Sequence, residues 1–220
     1  MDIKICGLRD ETMIRVASEA GATWVGFVLF ERSPRNILDD GDDALGSLKR
    51  LSARAKSQGL KSAVLLVDAD RILIDALLPM DTVDALQLHG AETPSEVAAV
   101  HRAANRRTEI WKAMSVSTPE IVQTLGAWQV DRLLLDAPPP EDADRPGGNG
   151  DVFDWTLLRG AKIPVPWFLA GGLTPENVAE AIAATGAPGV DVSTGVEKIR
   201  GVKDEERIRE FVAAARSAKG

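Results

Sequence analysis

Short runs rich in valine, isoleucine and leucine alternate with longer amphipathic stretches along the whole chain. This alternation restricts the fold more than any other feature. A strand–helix–strand repeat makes neighbouring strands run parallel under a cover of helices. Strands are expected near residues 2–6, 23–27, 61–66, 83–88, 109–113, 131–135, 166–170 and 189–192, each followed by a helical pattern. Eight such units share 220 residues, about 27.5 residues apiece. Two α/β architectures accept them, a closed (β/α)8 TIM barrel and an open doubly wound sheet. An open nucleotide-binding sheet calls for Gly-x-Gly-x-x-Gly after its first strand. Cys6-Gly7-Leu8-Arg9 stands there instead, and no Gly-x-x-x-x-Gly-Lys loop occurs anywhere. The count of eight and the length both suit the barrel. It is expected as a single domain over residues 1–220.

The helices carry their own start and stop signals. Thr93-Pro94-Ser95-Glu96 combines a cap, a proline at the first helical position and a glutamate three residues on. Thr118-Pro119-Glu120 and Thr174-Pro175-Glu176 repeat that opening, and Asp10, Asp151 and Asp204 are further candidate caps. Met13, Val16, Ala17 and Ala20 form one apolar stripe, with Gly21 placed as its stop. Ile208, Phe211, Val212 and Ala215 form another.

With 45% hydrophobic and 27% charged residues, the chain is too rich in aliphatic side chains to be disordered. Its longest uncharged stretch, residues 163–175, falls short of the ~18–20 apolar residues that cross a bilayer. The first six residues lack the basic-then-apolar pattern of a signal peptide, so a cytoplasmic location is expected. One cysteine excludes an internal disulfide and an all-cysteine metal site. A net charge of −7 argues against nucleic acid or an anionic membrane as partner. It also means that any small anionic ligand has to be held by local donors. A monomer or a homodimer is expected.

In such a barrel the active site lies at the C-terminal ends of the strands. Period-two alternation sends Ile3 and Ile5 outward to the helices and Lys4 and Cys6 inward, with Cys6 nearest the mouth. By the same rule Gln87 and His89 point inward from the fourth strand, and Asp191 and Ser193 from the eighth. Asp136 closes the sixth. A lone cysteine is more often a small buried hydrophobe than a reactive group; at a strand end beside a glycine and facing the mouth, both readings stay open. Asp136 could cap a turn, yet an acid at the mouth before a long loop leans towards function. Lys4 and Asp191 read first as interior partners of one another. His89 reads equally as a ligand contact or a satisfied histidine, and His101 as inert on a surface helix. Residues 137–150, rich in proline and glycine, read as a long mouth loop rather than a linker, since the alternation continues on both sides.

The strongest signal is a phosphate site. Gly171-Gly172 after the seventh strand and Ser193-Thr194-Gly195 after the eighth let backbone amides approach an anion. Paired loops at these two positions are a recurrent phosphate cradle of such barrels. Two histidines and one cysteine offer no metal-ligand spacing, so no metal is expected. Nor is there a nucleophile elbow.

Six motifs, in order, resemble the phosphoribosylanthranilate isomerase family of tryptophan biosynthesis. They are Lys4-Ile5-Cys6-Gly7-Leu8; Gly26-Phe27-Val28 with Ser33-Pro34-Arg35; Leu86-Gln87-Leu88-His89-Gly90; Leu135-Asp136 followed by Gly147-Gly148-Asn149-Gly150-Asp151-Val152-Phe153-Asp154-Trp155; the run from Leu169 to Val178; and the run from Gly189 to Glu197. The resemblance covers nearly the whole chain. It implies an Amadori rearrangement of an aminoaldose phosphate to an aminoketose phosphate without cofactor or metal. It implies Asp136 as general acid and Cys6 as general base, with Arg35 on the substrate carboxylate. It also implies backbone amides around Gly172, Ser193, Thr194 and Gly195 on the phosphate. Gly171, His89 and Asp191 complete the expected substrate-binding set. A thiol of ordinary pKa near 8.5 would need a modest downward shift to act as a base near neutrality. The chain departs from the family at Asn149, usually threonine, and at Thr194, commonly serine, where the hydroxyl is kept. Arg35 is expected at one end of the site and the glycine-rich amides at the other. The competing readings are a differently specific phosphosugar barrel and a non-catalytic phosphometabolite binder. An indole-forming barrel would carry catalytic lysines and glutamates at several strand ends, for which this chain shows Lys4 and Lys112. A sugar-isomerase barrel of histidine synthesis would pair aspartates on strands 1 and 5, where Cys6 and the residues from Lys112 to Met114 stand.

Overall fold

A computed structural model describes residues 1–37, 43–138, 147 and 152–218. Eight strands close a barrel in sequence order: β1 (Asp2–Cys6), β2 (Trp24–Leu29), β3 (Lys61–Leu66), β4 (Ala85–Leu88), β5 (Glu109–Ser115), β6 (Arg132–Asp136), β7 (Trp167–Leu169) and β8 (Gly189–Val192). Every neighbouring pair is parallel, and β8 returns to β1 with Lys4 opposite Asp191. The fold is therefore the TIM barrel, and each strand overlaps its expected span.

Alternation along the strands sorts the side chains into two cores. Ile3, Ile5, Leu86, Leu88, Val190 and Val192 face outward and pack with helix residues such as Ile14, Val16, Ile208 and Phe211. Inside the barrel Trp24, Ala63, Ala85, Trp111, Ala113, Leu134, Phe168 and Ala170 form a separate cluster. Its large members close the end where the strands begin. The Trp24 and Trp111 rings meet edge-on with centroids 4.6 Å apart, and Phe168 follows at 5.2 Å from Trp111. The Arg132 guanidinium lies 5.6–5.7 Å from all three rings and bridges Asp2 and Glu109. With that end plugged by apolar and cation–π packing, the opposite end is left for polar chemistry.

Helices α1 (Glu11–Ala20), α2 (Ala44–Ser57), α3 (Arg71–Leu77), α4 (Pro94–Ala104), α5 (Pro119–Thr124), α6 (Val178–Thr185) and α7 (Glu205–Ser217) cover the sheet. Asp10 caps α1, Gly21 ends it at φ 95°, Thr93 and Glu96 form a capping box on α4, and Asp204 caps α7. Three expectations are corrected. After β6 the described residues hold a single 3-10 turn, Trp155–Leu158, in place of a helix. Thr118 precedes α5 without a side-chain capping bond. Thr174-Pro175-Glu176 does not open α6: Asn177 accepts from the Thr174 N–H at 2.8 Å and donates to the Gly172 carbonyl at 3.0 Å. This closes a turn first and delays the helix to Val178. One element was not expected at all. Residues after β8 form an antiparallel hairpin of β9 (Glu197–Ile199) and β10 (Val202–Lys203). The candidate cap Asp151 and the motif residues Gly148 and Asn149, with most of residues 137–150, lie outside the described residues.

Candidate active site

Each candidate side chain sits where a strand ends. Cys6 and Asp136 are the last residues of β1 and β6, His89 follows β4, and Gly171 and Gly172 lie just beyond β7. Ser193, Thr194 and Gly195 leave β8, and Arg35 sits in the loop after β2. One cavity of about 820 Å³, counted out to its mouth, is lined by all of these and by Asp191, mixed with Val28, Phe30, Leu65, Val67 and Leu173. Lys112 does not line it. That ammonium is held by Glu92 Oε2 at 2.6 Å and the Gly90 carbonyl at 2.7 Å.

Cys6 is 3% exposed and rests against a buried ion pair, Lys4 Nζ to Asp191 Oδ1 at 2.9 Å. Burial pushes the Cys6 thiol up; the Lys4 ammonium opposes this, Asp191 adds to it, and Lys203 opposes it again. The balance lies above the ordinary value, so the expected downward shift is not found. A thiolate at 3% exposure loses more hydration than two nearby ammonium groups return. Burial works to lower the pKa of Lys4 as well, but Asp191 and Cys6 outweigh it and hold the ammonium charged.

Asp136 forms the opposite wall. Its Oδ1 accepts from the Ala137 N–H at 2.8 Å, and its Oδ2 lies 3.4 Å from His89 Nε2. Gln87 Nε2 contacts His89 Nδ1 at 3.1 Å. With Gln87 donating there, the imidazole proton sits on Nε2 and faces the carboxylate. Gly147 packs over this pair so closely that a Cβ on it would stand 2.7 Å from His89 Nε2 and 3.0 Å from Asp136 Oδ2.

Arg35 departs from its expected place. Its guanidinium is ion-paired to Glu197, with Nε to Oε1 at 2.6 Å and Nη2 to Oε2 at 2.9 Å, and Nη2 also reaches Thr194 Oγ1 at 3.0 Å. The arginine and the loop after β8 therefore adjoin rather than standing at opposite ends. Gly7, at φ +78°, lets this happen, since a Cβ there would be 2.5 Å from Arg35 Cδ. Lys203 Nζ reaches Glu197 Oε1 at 2.8 Å, the Ser193 carbonyl at 2.9 Å and Ser193 Oγ at 3.2 Å. Burial brings Lys203 down to about 8, against the opposing pull of Glu197. Glu197, Lys203 and Gly26 were not singled out from sequence. The available signal was Gly201 between branched Ile199 and Val202, a hairpin turn that would place Glu197 beside Lys203.

Among the described residues no group of three histidine, cysteine, aspartate or glutamate side chains could hold a metal ion. No helix among them is long and apolar enough to cross a membrane.

The model of the N-(5'-phosphoribosyl)anthranilate (PRA) isomerase family matches residues 3–214. An N-(5'-phosphoribosyl)anthranilate isomerase from Paracoccus denitrificans is 47% identical over 217 residues, covering 98% of this chain and 97% of that one. The crystal structure of phosphoribosyl anthranilate isomerase from Thermotoga maritima superposes with a TM-score of 0.82 at 30% identity and 99% coverage of both chains. A structure of the isomerase in complex with reduced 1-(o-carboxyphenylamino)-1-deoxyribulose 5-phosphate superposes with a TM-score of 0.78 at 28% identity, again covering 99% of both chains. A barrel closed in sequence order, with this cavity at its C-terminal end and this likeness along its whole length, belongs to the N-(5'-phosphoribosyl)anthranilate isomerase family.

Proposed function

We propose that Cys6 and Asp136 perform, as general base and general acid, the Amadori rearrangement carried out by this isomerase in tryptophan biosynthesis. N-(5'-phosphoribosyl)anthranilate becomes 1-(2-carboxyphenylamino)-1-deoxyribulose 5-phosphate. Asp136 gives a proton to the ribose ring oxygen, the C1'–O bond breaks, and the nitrogen lone pair forms the iminium of a Schiff base. The iminium acidifies the C2'–H. Cys6 thiolate takes that proton, and the electron pair moves into a C1'–C2' enolamine. Tautomerisation to the ketone returns the protons. Nothing is oxidised or reduced overall, so the chemistry asks for no redox cofactor.

The observation that carries this assignment is that Cys6 and Asp136 enter one cavity from β1 and β6, beside two glycine-bearing loops. The carbonyls of Gly172, Ser193 and Gly195 are engaged by Asn177, Lys203 and Arg207. This leaves the amide side of those loops to hold the phosphate. A thiol raised by burial yields less thiolate at neutral pH, but that thiolate is a stronger base towards carbon acids. Arg35 offers a planar donor set to the anthranilate carboxylate. His89 and Asp191 border the sugar. We place the reaction in the cytoplasm, where the single thiol stays reduced.

The test follows the anthranilate fluorescence of the phosphoribosylated substrate. The wild-type chain abolishes it, while Cys6→Ala and Asp136→Asn each slow its loss by about 10²–10⁴-fold. Near-wild-type turnover in both variants overturns the assigned roles. No fluorescence change with any form of the protein points to a phosphometabolite-binding barrel instead.

A further inference from the structure

The β9–β10 hairpin lies outside the eight-fold repeat, yet it delivers two buried charges beneath the anion-binding loop. The Glu197 and Lys203 side chains are 2% and 3% exposed, and neither has a part in the proton transfers above. We propose that Glu197 and Lys203 are positioning residues. Together they hold Arg35 and the Ser193–Gly195 loop in the one arrangement that receives the anionic substrate. The inference rests on the reading of that loop as the phosphate site.

Glu197 is fully engaged. Oε1 accepts from Arg35 Nε and Lys203 Nζ at 2.6 and 2.8 Å, and Oε2 from Arg35 Nη2 and the Gly201 N–H, both at 2.9 Å. Lys203 has three donors, and its three contacts are Glu197, the Ser193 carbonyl and the Ser193 hydroxyl. It therefore acts on a ligand through Ser193 rather than by touching it. The Ser193 hydroxyl lies in turn 3.2 Å from the Cys6 carbonyl, which ties the same brace to β1. The hairpin also docks on the loop that carries Arg35: at Gly201, φ +84°, a Cβ would stand 2.8 Å from the Pro34 carbonyl oxygen. The loops after β2 and β8 are thus locked to one another through a single carboxylate.

The charge count supports the assignment. Among the described residues, the triad itself holds two positive charges, Arg35 and Lys203, against the one carboxylate of Glu197, in a chain whose net charge is −7. Buried charge left partly uncompensated is expensive unless a ligand completes it. Burial brings Lys203 down to about 8, with the neighbouring Arg35 adding to that effect and Glu197 opposing it.

The experiment uses Lys203→Met and the near-isosteric Glu197→Gln in the full chain. The readouts are kcat, KM, competitive inhibition by inorganic phosphate, and inorganic phosphate binding by titration calorimetry. Both variants are expected to raise KM and to weaken phosphate about tenfold, the effect of losing one charge-assisted hydrogen bond, with kcat within about threefold of wild type. Glu197→Gln is the sharper arm. Counting charge alone, it adds a positive charge and tightens phosphate; with the brace removed, it weakens phosphate. Phosphate binding and KM unchanged or tighter in Glu197→Gln overturn the proposal, as does a fall in kcat at constant KM. Should Lys203→Met fail to fold, the Glu197→Gln titration decides alone. Calorimetry reads phosphate binding without turnover, so an inactive wild-type chain overturns the catalytic reading while leaving this one measured separately.

Discussion

Gly26 and Cys6 lie on adjacent strands so close that a Cβ on Gly26 would stand 2.7 Å from Cys6 Sγ, and 3.1 Å from Lys4 Nζ. The absent side chain is what lets the thiol point into the cavity. Gly26→Ala is therefore expected to displace the sulfur by a few tenths of an ångström or more. Misplacement on this scale costs up to about 10²-fold in rate. Steady-state kinetics should show the loss in kcat, with inhibition by inorganic phosphate close to wild type, because the loops proposed to hold phosphate follow β7 and β8.

The raised Cys6 thiol has a pH signature. Its folded pKa lies above the unfolded value near 8.5, so the folded chain holds its proton longer than the unfolded one. This contribution to stability is fully present below about pH 8.5 and is lost as pH rises through the folded value. The difference in urea midpoint between wild type and Cys6→Ala should shrink accordingly from pH 8 to 10. Cys6 is the only cysteine, so mass spectrometry of iodoacetamide-treated protein reports its thiolate directly. The alkylation rate should climb with pH over the same range. A rate already at its plateau at pH 7 would contradict the burial argument.

Gly195 admits no side chain, because a Cβ there would run into the Leu173 carbonyl oxygen. That oxygen belongs to the loop after β7, so the two glycine-bearing loops are packed backbone to backbone. Gly195→Ala is expected to separate them and raise KM by at least about tenfold. The thermal unfolding midpoint of wild type should rise on adding inorganic phosphate, and that rise should vanish in the variant.

Arg132 supplies a control at the far end of the barrel. Arg132→Met keeps the hydrophobic stem over Trp24, Trp111 and Phe168 but removes the cation between Asp2 and Glu109, leaving Glu109 its bond from the Trp111 indole N–H. Urea unfolding should show a loss of about 1–2 kcal/mol, since both carboxylates are about one third exposed and keep part of their hydration. KM should hold, since the plug and the cavity are separated by the length of the strands. A changed KM would mean that the two ends of the barrel are coupled.

Much of this protein was legible in its residues because barrels obey short-range rules. Period-two alternation placed Lys4, Cys6, Gln87, His89, Asp191 and Ser193 inside the barrel, and all of those expected at the mouth line one cavity. Thr93 with Glu96, and Gly21, act as local signals should, since capping is settled within one turn of helix. Thr174-Pro175-Glu176 misled for the same reason in reverse. Its local pattern is a helix opening, but Asn177 spends its amide on Gly172 and pulls the segment into a turn that serves the loop.

Sequence alone determined the order and direction of the strands, which faces are apolar, and which aspartate, cysteine and glycines reach the mouth. Those follow from backbone geometry and repeat within a few residues. Only the tertiary structure decided the state of the groups once there. Arg35 meets Glu197 across 162 positions and Lys4 meets Asp191 across 187, so closing the barrel, not local pattern, created both pairs. Closure also removed water from Cys6 and raised its pKa where an exposed thiol would keep its ordinary one. Burial and Coulomb interaction depend on everything nearby in space, and nearness in space is the one quantity a linear chain does not carry.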